Sequence, residues 1–243
     1  MRYSEPVRVT SSGDYDLVEL TGPLSLATVG AARGALAKAL AQRGRAVVDV
    51  SGLVLEWEPV VTLFATALSG AGGWPVARLV LFGVRPALRS ALARARVLDS
   101  VPAAPDRAAA VALLDVRPHR VSRHRDLPGV PASAAAARLY TEDACAEWEI
   151  AADPASVAVQ IVNELVSNAV EHAGTRCRLT LALDSRGLHV AVRDDDPYGV
   201  VGTTRVPPDA LRGRGLHLVA VLSGGWGVTR HAEGKTVWAW VPI

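Results

Sequence analysis

The sequence predicts an α/β protein, because two kinds of pattern alternate along most of its length. Short apolar runs, such as residues 45–50 and 78–83, have the length and the continuous hydrophobicity of buried strands. Between them lie stretches such as residues 27–42, in which apolar residues recur at the spacing of one side of a helix. This alternation of strand and helix favours sheets covered by helices over an all-helical or all-β fold.

The length, composition and charge of the chain exclude several classes of protein. The chain has 243 residues, of which 50% are hydrophobic and 21% charged, so it is long enough for one large domain or two small ones. A net charge of +2 is not a nucleic-acid footprint, and the densest basic run, residues 117–125, is typical of a linker. No apolar run approaches the roughly 18 residues of a membrane span, and no signal peptide is seen. Cys145 and Cys177 lack metal-type spacing and favour a reducing compartment. We therefore expect a cytoplasmic protein that binds neither nucleic acid directly nor membrane.

The first 115 residues form the first predicted domain. Alternating polar and apolar residues over 16–21 predict a half-buried strand. The apolar runs at residues 45–50 and 78–83 are predicted to form buried strands of the same domain. Helices are predicted at residues 27–42, 59–68, 85–95 and 106–114.

A basic stretch over residues 116–130 is interpreted as a linker plus a first strand near 119–123. The second predicted domain, residues 131–243, begins with a helix that buries Leu139 and Trp148. The next helix begins at Asp153, which we expect to be its N-cap, and continues through residue 173. Strands are predicted at 176–185, 188–193, 228–230 and 236–241, with a short helix at 216–222.

One polar ridge stands out in the helix that ends at residue 173. Glu164, Asn168 and His172 recur every four residues and therefore lie in one row. Asn costs roughly half a kcal/mol relative to Ala in a helix interior, so its presence needs a reason. An Asn oxygen suits Mg²⁺, and a Glu one turn earlier could take a proton from a hydroxyl or water that attacks a γ-phosphate. The alternative is that the ridge is simply the solvated face of the helix.

Three later stretches carry residue types found at nucleotide sites. Asp194 ends a predicted strand, where its carboxylate could accept a hydrogen bond from an exocyclic adenine amine. Gly213 and Gly215 precede a helix, and such glycines let backbone N–H groups approach phosphate. Thr236, in the last strand, could hydrogen-bond at the adenine site. Each also has a plain structural explanation: a turn Asp, an ordinary glycine turn, and a Thr chosen for its β-propensity.

Residues 164–173, Glu-Leu-Val-Ser-Asn-Ala-Val-Glu-His-Ala, strongly resemble the N-box of the GHKL superfamily, and most closely that of bacterial anti-sigma-factor serine kinases. The later stretches follow in the order of the same domain, over roughly residues 118–243. The resemblance implies a GHKL (Bergerat) α/β sandwich that binds ATP and Mg²⁺, with Glu164 as the catalytic base and Asn168 holding Mg²⁺. Its other implied nucleotide-binding residues are His172, Asp194, Gly213, Gly215, Leu216 and Thr236. One departure is that Asp196 and Pro197 replace the first glycine of the usual D-x-G-x-G motif and the residue after it.

Roughly residues 5–115 resemble a STAS domain, the fold of anti-anti-sigma factors. The resemblance lies in residues 18–27, 47–53 and 79–83. Family members usually carry Asp-Ser-Ser-Gly at the start of the central helix, where one Ser is phosphorylated. This chain has Trp57-Glu58-Pro59-Val60 there, so the resemblance implies that this domain is not phosphorylated at that place.

Together the two resemblances imply a regulator that binds Mg·ATP and controls a partner in a sigma-factor pathway, as a serine/threonine protein kinase, by binding alone, or both. The implied partner is a separate STAS-domain anti-anti-sigma protein or a sigma factor. Family members often form homodimers through the kinase domain, so the resemblance also allows a homodimer of this chain. The alternative is a non-catalytic partner-switching module with a degenerate or nucleotide-gated ATP site, which the altered motifs favour. A third, less favoured function is ATP hydrolysis, in which the same base would act on water.

Overall fold

A computed structural model describes residues 7–197 and 214–243, except for the side chains of His172 and Arg214. The chain divides into two compact units, Met1–Val121 and Ser122–Ile243. Both units combine a sheet with helices, so the predicted α/β class is confirmed. Within the described residues, no helix is long and apolar enough to cross a bilayer.

The first unit is built on a five-stranded sheet in the order β1-β2-β4-β6-β7. The β1–β2 pair is antiparallel and the other pairs are parallel. Its strands are β1 Val7–Ser12, β2 Tyr15–Leu20, β3 Gly22–Leu24, β4 Arg45–Asp49, β5 Leu53–Leu55, β6 Arg78–Phe82 and β7 Ala103–Ala104; the short β3 and β5 pair separately. Its helices are α1 Val29–Arg43, α2 Leu63–Gly70, α3 Pro86–Arg94 and α4 Arg107–Leu113.

Both faces of this sheet are buried, as the continuous apolar runs require. Val48 and Leu81 lie in the larger core with α1, α2 and α3, whereas Val47 and Val80 pack towards α4. The helix predicted from Pro59 differs in its first turn, because Glu58–Thr62 forms a 3-10 turn before α2 begins.

The second unit has a five-stranded sheet in the order β11-β12-β10-β9-β8, in which the β11–β12, β12–β10 and β10–β9 pairs are antiparallel. Its strands are β8 Val121–Leu127, β9 Cys177–Asp184, β10 Gly187–Asp194, β11 Gly225–His231 and β12 Gly234–Val241. Its helices are α5 Ala132–Glu147, α6 Ala152–Asn168 and α7 Arg214–Leu222. The first strand therefore extends four residues beyond the predicted end at 123.

Two predictions about the α5–α6 region are wrong. Trp148 is buried as expected, but Leu139 is 63% exposed, because α5 packs through small residues such as Ala137 and Ala144. Small side chains on the packed face allow close approach of α5 to α6 without large apolar residues. Asp153 is also not the N-cap: Ala151 holds that position, and Asp153 lies in the first turn, where its negative charge suits the helix dipole.

Candidate functional site

Helix α6 places Glu164 and Asn168 one turn apart, as the sequence spacing predicts. The helix is anchored by Ile161 and Leu165, which are buried, while Glu164 and Asn168 are half-buried. The polar ridge is therefore not a fully solvated helix face.

The sequence pattern predicted a helix that continues through residue 173. In the structure the regular α-helix ends earlier. The α-helical hydrogen bonding ends at Asn168, and Ala169–Ala173 forms a π-turn that ends at Gly174 with a φ of 61°. Single π-turns within helices are frequent at functional sites. His172 lies in this turn, but its side chain is outside the described part of the structure, so its predicted role remains a prediction.

Gly215 lies in the first turn of α7 and faces the polar residues of α6. A β-carbon on Gly215 would lie 2.5 Å from Oε2 of Glu164 and 3.7 Å from Nδ2 of Asn168. The structure thus brings together three predicted site residues that are separated in the sequence. Gly213 lies outside the described residues, and Leu216 is half-buried beside Gly215.

The Glu164 carboxylate is held by a chain of polar contacts that the sequence patterns did not reveal. Arg138 Nη1, on α5, donates to Asn163 Oδ1 at 2.6 Å, and Asn163 Nδ2 donates to Glu164 Oε1 at 3.2 Å. Oε1 therefore faces Asn163 while Oε2 faces Gly215. A fixed carboxylate orientation is what proton abstraction at one defined position requires. No sequence signal pairs Arg138 with Asn163, because the contact depends on how α5 packs on α6.

Asn168 has an unsatisfied amide at the same place. Its Nδ2 atom is buried and has no hydrogen-bond partner among the described residues. A buried amide group that lacks a partner is costly, which is the pattern expected where a polar ligand belongs.

Asp194, at the end of β10, is buried in the second unit. It is 2% exposed and lies directly across from Lys235 of β12, which is 5% exposed. Lys235 Nζ lies 3.1 Å from Oδ1 and 3.0 Å from Oδ2 of Asp194. Lys235 also donates to the carbonyl oxygen of Asp196 at 3.2 Å. Sequence reasoning missed Lys235, although its register opposite Asp194 follows from the pairing of the two strands.

The additional carboxylate of Asp196 is also accommodated here. Its backbone N–H donates to Asp194 Oδ1 at 3.0 Å, and its own Oδ2 lies 4.0 Å from Lys235 Nζ. Lys235 therefore neutralises one of the two negative charges that Asp194 and Asp196 place here.

Thr236 is not brought to Asp194, contrary to the role that the sequence suggested. Successive side chains of a strand point to opposite faces, and Lys235 occupies the face shared with Asp194. Thr236 lies on the other face, opposite Arg193, and its hydroxyl is 3.1 Å from Nε2 of His231. The face occupied by each residue is set by the β10–β12 register, which the motif order did not specify.

The residues around Gly215 fit a magnesium nucleotide. Mg²⁺ commonly takes only one or two protein ligands and completes its shell with phosphate oxygens and water. The Asn168 amide lies beside Gly215, with Nδ2 nearest, and its Oδ1 would be the ligand to Mg²⁺; the missing β-carbon of Gly215 leaves room next to Glu164. Among residues 7–197 and 214–243, no group of three or more His, Cys, Asp or Glu residues could hold a metal by itself. A metal bound here therefore depends on the nucleotide for most of its ligands.

Comparison with known proteins agrees with this geometry. Residues 127–240 match the family model of the histidine kinase-like ATPase domain. This match covers most of the second unit, which follows a separate α/β unit in the chain. A search of curated proteins gave no match.

Several solved structures resemble parts of the chain. One contains the RsbU and RsbW domains of Rv1364c from Mycobacterium tuberculosis, with 19% identity and a TM-score of 0.40 over 50% of this chain and 32% of that chain. Another is an anti-sigma factor antagonist from Mycobacterium paratuberculosis, with 17% identity and a TM-score of 0.40 over 44% of this chain and 92% of that one. A third is the anti-sigma factor antagonist SpoIIAA in its unphosphorylated form, with 15% identity and a TM-score of 0.33 over 41% and 89% of the two chains. The matched part spans about a third of the first of these chains.

Proposed function

We propose that this protein is a cytoplasmic regulator that binds Mg·ATP in its second unit and controls a partner of the sigma-factor or anti-sigma type by phosphorylating it. The observation that carries the proposal is the convergence of Glu164, Asn168 and Gly215. A potential base, a magnesium ligand and a glycine at a helix N-terminus meet at one place, in a unit that matches the family model of the histidine kinase-like ATPase domain.

Each of these residues has a distinct role in the proposed transfer. Asn168 would hold Mg²⁺ through its amide oxygen, and the N-terminus of α7 at Gly215 would face the phosphates. Bound Mg·ATP supplies the γ-phosphoryl group and a means of neutralising its charge. Glu164 would accept the proton of the attacking Ser or Thr hydroxyl, with Asn163 and Arg138 holding its carboxylate in place.

The acceptor hydroxyl is proposed to belong to a separate STAS-domain protein. In this chain the corresponding segment offers Trp57 and Glu58, and neither residue has a hydroxyl that accepts phosphate in serine/threonine kinases. Glu58 does not present an isolated negative charge there, because Arg94 Nη2 donates to Glu58 Oε1 at 2.6 Å. Trp57 beside it is 45% exposed.

Calorimetric titration with Mg·ATP and Mg·ADP is the first test, followed by a phosphotransfer assay with candidate STAS-domain proteins. Glu164→Gln removes the base but keeps the size and polarity of the side chain. We expect it to bind nucleotide within a few-fold of the wild type and to lose about 100- to 10,000-fold in transfer rate. Wild-type protein that does not bind ATP would refute the proposal, and binding without phosphotransfer to any acceptor would remove its kinase part.

A second candidate is a non-catalytic partner-switching module. Two observations favour it: Asp196 stands where a glycine is usual, and the first unit lacks the usual phosphorylatable Ser. In that case nucleotide would act as a gate or play no part. Partner binding in pull-downs that is unchanged by ATP, ADP and Glu164→Gln would favour this function over the kinase.

A further inference from the structure

The buried pair of Lys235 and Asp194 changes what the proposed adenine site can recognise. An aspartate that reads an exocyclic amine needs an acceptor position open to the ligand. Here the ammonium of Lys235 lies 3.1 and 3.0 Å from the two carboxylate oxygens of Asp194. The side chains of both residues are at least nine-tenths buried, so this is not a loose surface pair.

The Lys235 ammonium and the Asp194 carboxylate each make several polar contacts within the protein. Among the described residues, Lys235 Nζ donates to Asp194 Oδ1 at 3.1 Å and to the Asp196 carbonyl oxygen at 3.2 Å, and it lies 3.0 Å from Asp194 Oδ2 as an ion pair. Asp194 Oδ1 accepts from the Asp196 backbone N–H as well as from Lys235. The ammonium therefore contacts both carboxylate oxygens of Asp194 and competes with an incoming amine for them.

We propose that Lys235 is the residue that sets base selectivity, acting as an internal substitute for the nucleotide amine. This inference rests on the proposed nucleotide site. With Lys235 in place, the 6-amino group of adenine adds little to binding, so the site accepts a purine nucleotide with or without that group. Affinity then comes from the phosphate and magnesium end, where Asn168 and Gly215 lie.

The energetic argument follows from the cost of disrupting the pair. Separation of a buried ion pair leaves at least one uncompensated charge, which is strongly unfavourable. One amine–carboxylate hydrogen bond is too weak to compensate for that separation. The ligand amine therefore does not displace Lys235.

The test compares Mg·ATP with Mg·purine riboside 5′-triphosphate, which is ATP without the 6-amino group. Calorimetric titration of the full chain gives the ratio of the two dissociation constants. We expect a ratio within about threefold for the wild type. For Lys235→Thr, where Asp194 is open to the ligand, we expect ATP to bind about 10- to 100-fold more tightly than the analogue, the range expected for a hydrogen bond to a charged group. Lys235→Arg keeps the cation and should retain the wild-type ratio.

Each outcome decides one of the two proposals or both. A wild type that binds ATP at least tenfold more tightly than the analogue overturns the inference, whatever the variants do, and leaves the proposed function standing. A wild type that binds neither nucleotide refutes both the proposed function and the inference, whatever Lys235→Thr does, because the inference requires that the wild-type site accept a purine nucleotide. Thermal melting establishes folding, and Lys235→Ser, which also removes the ammonium and leaves Asp194 open to the ligand, replaces Lys235→Thr if the latter is unfolded.

Discussion

A β-carbon on Gly215 would lie 2.5 Å from Oε2 of Glu164, so the first turn of α7 and the middle of α6 form one site. The atom that would be crowded is the end of a flexible side chain rather than backbone. Substitution of Gly215 should therefore disturb the position of the carboxylate more than it disturbs the fold.

We expect Gly215→Ala to separate stability from activity. Alanine favours a helix over glycine by up to about 1 kcal/mol, so the melting temperature should be unchanged or slightly raised. The added methyl should displace Glu164 and lower phosphotransfer by at least about tenfold, as loss of a positioned base does. Gly34→Ala is the matched control, because Gly34 also lies in a helix, α1, and a β-carbon there has nothing within 4 Å. A marked drop in stability for Gly215→Ala, or full activity, would contradict this prediction.

The Asp194–Lys235 pair should contribute through cancellation of two buried charges. We expect Asp194→Asn to lower the free energy of unfolding by about 3 kcal/mol, the lower end of the range for a broken buried pair, because Lys235 keeps only the Asp196 carboxylate at 4.0 Å as a countercharge. The double variant Asp194→Asn/Lys235→Met should lose less than the sum of the two single variants. Urea denaturation of the four proteins measures this coupling, and additive losses would show that the pair is not coupled.

In the first unit, the buried carboxylate of Asp16 depends on a partly exposed arginine. Asp16 is fully buried, and its Oδ1 accepts from Ser11 Oγ at 2.8 Å and lies 3.1 Å from Arg43 Nε. Arg43→Ala should destabilise this unit by about 3 kcal/mol, since it leaves the carboxylate without its cation.

Arg8→Ala provides the control for Arg43→Ala. Arg8 lies 3.9 Å from Glu19, and both side chains are exposed. Pairs of this kind contribute at most about 1 kcal/mol. Equal shifts of the urea midpoint for Arg43→Ala and Arg8→Ala would show that the burial of Asp16 does not increase the stability contributed by its ion pair.

Both cysteines should be slow to react in the folded protein. Burial raises the pKa of the Cys145 and Cys177 thiols from 9.0 to about 11. At pH 8 the thiolate fraction is then about a hundredfold lower than in the unfolded chain, because each pKa unit changes it tenfold. Alkylation by iodoacetamide, followed by mass spectrometry, should be slow in buffer and fast in urea. Rapid modification of native Cys177 would show that the end of the β9–β10 pair, where Cys177 lies opposite Asp194, opens readily.

The raised pKa of the two thiols also predicts how the free energy of unfolding changes with pH. The unfolded thiols lose their protons near pH 9, whereas the folded thiols keep theirs until about pH 11. In this window the unfolded state binds fewer protons, so the thiol contribution makes the folded state less stable as pH rises. Comparison of wild type with Cys145→Ala and Cys177→Ala between pH 8 and 10 isolates the contribution of each thiol.

Strong local patterns predicted much of the fold. The apolar runs at 45–50 and 78–83 became β4 and β6, because continuous hydrophobic runs fit a sheet that is buried on both faces. The four-residue spacing of Glu164 and Asn168 placed both on one side of α6. The prediction for Leu139 failed because α5 packs through alanine, and a hydropathy pattern cannot identify which face a neighbouring helix will cover.

The sequence by itself determined the α/β class, the elements that carry the site, and the spacing of Glu164 and Asn168, because these depend on residues close together in the chain. Tertiary structure decided which distant residues meet. The pairing of β10 with β12 placed Lys235, rather than Thr236, on the face of Asp194, 41 residues away. The packing of α5 on α6 brought Arg138 to Asn163 and thereby positioned Glu164. Strand register and helix packing arise from the whole core, so no local pattern specifies them.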